Sequence, residues 1–238
     1  MDAFTILNGT LSIIYVSISI LVGLTMILSY RKHKEKLLIL VGLTWIGIVS
    51  PWYPSSISFI VAFFNNGEGI PEVAYYLIGN IAGPVFIFIW LVAFTEFFFQ
   101  SYRKLILGGS IVYGIVWEIL FIWLLLQGPG TIADFFPPID VDYKGFYLVL
   151  ALSVIAIVSS TGIYFSYRSI KTDKRKTRIK GYFLLAAFIS YTVGAILDAA
   201  IPQDYIYLIP TRLILISSAI FWYFGFIMPE FVERRLEE

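Results

Sequence analysis

Seven apolar runs govern what this chain can become, because each is long enough to carry a helix across a lipid bilayer. Crossing a hydrocarbon core of about 30 Å takes roughly 20 helical residues. The runs lie at 9–30, 37–64, 74–100, 105–127, 146–168, 181–200 and 206–228, numbered here as spans 1 to 7. They are continuously apolar rather than alternating, which argues against a β-barrel. Helices then remain as the structure that satisfies every backbone group in lipid. The expected fold is an all-α membrane protein, a single seven-helix transmembrane bundle over 1–238. Composition agrees: 59% of the residues are hydrophobic and only 14% charged, against about a quarter charged in a soluble domain.

The charges that remain are sorted by side. The connections 31–36 (RKHKEK), 101–104 (SYRK) and 169–180 (SIKTDKRKTRIK) are basic, and the tail reads VERRLEE. Of the 17 Lys and Arg, all but Lys144 and Arg212 fall on this one side. The alternate connections carry Glu68, Glu72, Asp134, Asp140, Asp142 and Asp204. The positive-inside rule makes the basic side cytoplasmic. An odd number of spans then puts the N-terminus outside, giving a multi-pass cell-membrane protein. Met1–Leu7 has no basic region or small-residue cleavage site, so span 1 is expected to be retained rather than removed as a signal peptide. Ser-Tyr-Arg recurs at 29–31, 101–103 and 166–168, each time at a basic helix end where ring and cation anchor a span. Asn8-Gly9-Thr10 is a glycosylation sequon, here read as a chance match close to the membrane.

Several chemistries fall away. No cysteine is present, and the one histidine, His33, sits in a basic loop. Thiolate metal sites and bis-histidine haem are excluded, and neither metal nor cofactor is expected. A net charge of +1 gives no general attraction to nucleic acid. Span 7 has no lysine for a retinal Schiff base. GxGD, GxSxG, HExxH and phosphate-loop motifs are all absent, so an enzyme is not expected.

Two spans carry helix breakers: SPWYP (50–54) in span 2 and GNIAGP (79–84) in span 3. Bends are expected there, serving either to fit long helices into the bundle or to open a cavity in its outer half. Four ionisable groups lie within spans, where each needs a partner or a function. Glu96 is near the basic end, within reach of Arg103 and Lys104. Asp198 and Arg212 flank the short turn IPQDY (201–205), so they belong to antiparallel neighbours at similar depth, with Asp204 as a rival partner for Arg212. They read either as a pin between helices or as part of a ligand site. Glu118 falls near the middle of span 4, one turn beyond Gly114, and is expected to be protonated or bonded to hydroxyls or to Asn80. Tyr191 shares a face of span 6 with Ser190, Gly194 and Asp198, expected to look into the bundle.

One stretch resembles a known family. A basic loop leads into LLILVGLTWIGI with its central Trp45. There follows YLIGNIAGPVFIFIWLVAFTEFFFQSYRK, with Pro84, Glu96 and the aromatics after it. Over about residues 20–105 this resembles the seven-helix N-terminal membrane sensor region of prokaryotic histidine kinases. The resemblance implies detection of a signal in or near the membrane and transmission to a cytoplasmic module. The sequence holds no phosphoacceptor helix or ATP-binding domain, so output through another protein is implied, with 169–180 and the tail as docking surfaces. The same basic surfaces also suit anionic lipid head groups.

The leading expectation is therefore a receptor-like membrane protein binding a small or lipidic ligand between its helices. Its site would comprise Glu118, Asp198, Arg212, Asn80 and Tyr191. The alternatives are a small proton-coupled transporter of 3+1+3 helix build with Glu118 as the coupling acid, and a non-catalytic scaffold.

Overall fold

The computed structural model describes residues 1–228. Seven helical stretches are long and apolar enough to cross a membrane, and the all-α expectation holds at that level. Span 1 is α1 (Ala3–His33). Asp2 caps its start, accepting from the Thr5 amide at 2.8 Å, and Lys34 ends it in a left-handed conformation. The other unbroken spans are α6 (Arg103–Gln127), α7 (Gly145–Ile170), α8 (Arg175–Ala200) and α9 (Tyr205–Phe226). Most helices outrun their apolar cores, because Lys and Arg continue a helix well and carry their charges out along it. The expected loop 169–180 is corrected accordingly: only 171–174 connect α7 to α8. The expected docking tail after span 7 lies outside the described residues.

Spans 2 and 3 break where proline and glycine predict. Span 2 becomes α2 (Lys36–Ile48), a short turn at Ser50–Trp52, and α3 (Tyr53–Phe64). Span 3 becomes α4 (Glu72–Asn80) and α5 (Gly83–Phe97). Proline at 51, 54 and 84 withholds amide donors and so frees carbonyls one turn back. Side chains bond to carbonyls beside the breaks: Tyr53 donates to Ile46 O, Tyr191 to Ile48 O, and Ser50 to Gly79 O at 3.1 Å. The last of these ties the two breaks together.

The spans pack in a closed circuit, α1 on α2, α2 on α5, α5 on α7, α7 on α8, α8 on α9, and α9 back on α1. Its centre is aromatic, with Trp45 stacked on Trp222 at 4.6 Å and Trp90 and Phe188 against them. Helix α6 stands outside the circuit, packed mainly on α5, and is the least buried span.

One element goes beyond the all-α expectation. The connection between spans 4 and 5 folds into an antiparallel hairpin of β1 (Ala133–Phe136) and β2 (Asp140–Tyr143). Its tip reaches across the bundle end, where Ser58 donates to Pro138 O and Tyr75 to Ile139 O. This hairpin end is opposite the basic end, where 34–35 and 171–174 turn.

Candidate functional site

Beneath the hairpin, where the two broken spans face spans 5 and 6, the packing leaves a cavity of about 80 Å³. Span 2 contributes Ser50 and Trp52 to its wall, span 3 Asn80, and span 4 Trp117. Tyr143 enters from β2, Tyr147 from α7, and Tyr191 and Asp198 from α8. Residues at the two breaks, Pro51, Gly79 and Gly83, line the void.

Asp198 and Arg212 form the expected ion pair, at 2.9 Å between Nη1 and Oδ1. Around it the structure adds partners. Trp52 Nε1 donates to Asp198 Oδ2 at 2.8 Å, and Arg212 Nη2 donates to Asn8 Oδ1 at 3.0 Å. The Arg212 side chain is 3% exposed and that of Asp198 20%, so the carboxylate reaches the cavity while the guanidinium stands behind it. Asp204 is not the rival partner; it caps α9, accepting from the Ile206 and Tyr207 amides. Asn8 is buried against Arg212, which leaves the sequon no accessible amide.

Asn80 is held by Tyr147, which donates to its Oδ1, while its Nδ2 donates to Tyr76 O. Tyr191 donates to Ile48 O and sets its ring edge-on to Trp45 and Trp52. Asn80, Tyr191 and Asp198 thus converge on one cavity, with Arg212 one contact behind.

Glu118 does not join them. Its partner is neither Asn80 nor a hydroxyl; it lies in a groove between α5 and α6, lined by Pro84, Val85, Phe88 and Gly114, and its Oε1 has no hydrogen-bond partner. The reason is the position of α6 outside the circuit, so that Gly114 approaches Pro84 rather than the interior. Glu96 pairs with Arg103 at 3.7 Å near the surface, as its position predicts.

Sequence reasoning passed over Trp52, Trp117, Tyr143 and Tyr147. The last two carried no shared periodic signal, since Tyr143 ends β2 and Tyr147 begins α7.

At the hairpin end, Asp2, Asp140, Asp142 and Gln203 line an open mouth of about 310 Å³. Strand alternation sends Asp140 and Asp142 to this mouth and Tyr143 to the cavity. Burial pushes the Asp140 carboxyl up to about 6; repulsion from Asp198 adds to the rise, while Arg212 and the Val141 amide oppose it. Asp142 is also raised, by burial and then by Asp134.

No protein-family model, no curated protein and no solved structure matches this chain.

Proposed function

We propose that the chain is a receptor-like protein of the cell membrane that binds a small ligand within its bundle. The N-terminus and the hairpin would lie outside, and the basic end would face the cytoplasm. The charge segregation supports that orientation. The observation that carries the reading is the cavity itself. It is largely apolar and aromatic with a few polar groups, set at two helix breaks, and walled by spans 2 to 6, so that one occupant touches five spans. A ligand that fits one arrangement of those spans better than another shifts the population between them. The resemblance of residues 20–105 to kinase sensor regions supports the same reading, with output through a separate protein docking at the basic end.

The transporter alternative asks Glu118 to meet the substrate as a proton-coupling acid. A carboxyl in the α5–α6 groove, off the cavity, lends that alternative less support.

The test is to purify the protein in native-like membranes and identify retained small molecules by mass spectrometry, beside Ala151→Leu. Ala151 lines the cavity without a polar role, so the larger side chain fills the space and leaves every hydrogen bond intact. A compound that stabilises wild type thermally and is lost from the filled variant is the expected result. Equal retention by both would sink the site.

A further inference from the structure

We propose that the cavity selects a small aliphatic ammonium ion, a deepening that rests on the binding reading above. Three observations carry it, and the first is which hydrogen-bonding groups remain free.

Most donors around the cavity are committed to acceptors of the protein, the Tyr143 hydroxyl excepted. Ser50 gives to Gly79 O, Trp52 to Asp198, Asn80 to Tyr76 O, Trp117 to Leu150 O, Tyr147 to Asn80, and Tyr191 to Ile48 O. What the wall still offers is hydroxyl and carboxylate lone pairs and the faces of aromatic rings. Such a wall receives a donor, and it offers an anion only the neutral Tyr143 hydroxyl and one Asn80 N–H with no cation in the lining.

Charge is the second observation. Asp198 is the only charged residue lining the cavity. Arg212 neutralises it in part but stays behind it, held by Asn8. Asp140, close enough to Asp198 to repel it electrostatically, adds a second carboxylate against the single guanidinium. The sum of the three is one net negative charge, and Asp2 and Asp142 at the mouth add to it. Cations over Trp and Tyr faces in a desolvated site are stabilised by the ring quadrupoles, and aromatic cages are a recognised means of holding alkylammonium groups.

Size is the third. The cavity's 80 Å³ is about half of the roughly 150 Å³ that admits a benzene ring. That space suits methylammonium or dimethylammonium and excludes a lipid chain or a drug-sized ligand.

Radiolabelled methylammonium binding to the nanodisc-embedded protein tests this, with methanol and formate as competitors at matched ionic strength. Saturable binding displaced by dimethylammonium but not by methanol or formate is expected. It should weaken by about tenfold or more in Asp140→Asn, the equivalent of one lost charge interaction. This variant keeps the Asp198–Arg212 pair, so its folding is checked by an unchanged gel-filtration profile and a thermal transition no lower than that of wild type. The charged and titratable groups facing Asp140 are Asp142 on its own strand, Asp2 before α1, Tyr75 on α4, Asp198 on α8 and Arg212 on α9. Binding should accordingly fall as pH drops through about 6, where Asp140 takes up its proton. Displacement by methanol or formate overturns the cation assignment and leaves the cavity as a binding site. If methylammonium fails to bind and Ala151→Leu also changes nothing in ligand retention, the assignment and the binding reading fall together.

Discussion

Arg212 is a buried side chain shared by three helices. Buried at 3% exposure, it joins α9 to α8 through Asp198 and to α1 through Asn8. Removing one member of a buried pair strands the other charge, which costs about 3–5 kcal/mol. Arg212→Ala and Asp198→Asn should each lose about that much, read by chemical unfolding in micelles. The double replacement by Met and Leu should lose far less, since no stranded charge remains. A double variant as unstable as the sum of the singles would contradict the pairing. The pair was legible in the sequence because a short turn fixes the relative depth of two helices. Asn8 was not, since nothing local links it to a residue 204 positions away.

Among the elements, α1 and α2 cross backbone against backbone. A Cβ on Gly42 would meet Gly23 O at 2.6 Å, and one on Gly23 would meet Gly42 O at 2.8 Å. Neither carbonyl can swing aside as a side chain would, so the helices must separate. Gly42→Ala should cost about 1–3 kcal/mol, the usual range for overpacking, seen as an earlier unfolding transition with α1–α2 cysteine cross-linking reduced. The helix breaks were legible because Pro51, Pro54 and Pro84 act through the backbone whatever surrounds them. The place of α6 was not. Ile111, Val112, Ile115, Val116 and Ile119 make it apolar on its exposed side, and lipid and protein interior ask for the same residues. Glu118 was therefore assigned inward on the strength of Gly114. The hairpin also escaped notice: ADFF and DVDY are too short for periodicity to separate strand from loop.

At the scale of the whole molecule, the hairpin brings acidic groups against a bundle that already holds Asp198. The consequence is a stability that depends on pH in a stated direction. The folded chain holds a proton on Asp140 up to about 6, whereas the ordinary value is 3.8. Between those values folding takes up a proton, so stability rises as pH falls through about 6 and levels off below 4. Above that window the ionised carboxylate opposes folding. Thermal unfolding across the range should show this rise, and Asp140→Asn should flatten it while raising the transition temperature at neutral pH. A flat wild-type profile would mean that Asp140 is solvated. The same carboxylate that would attract a cation thus weakens the empty protein, and occupancy would relieve it.

The circuit of helices also has a beginning and an end in time. α1 is made before α9, yet the partner of its Asn8 is Arg212 on α9. By then Asn8 can already hold the Ser12 hydroxyl and Asp198 the Trp52 indole. Closing the circuit and pairing its buried cation are therefore one event, completed only when Arg212 arrives.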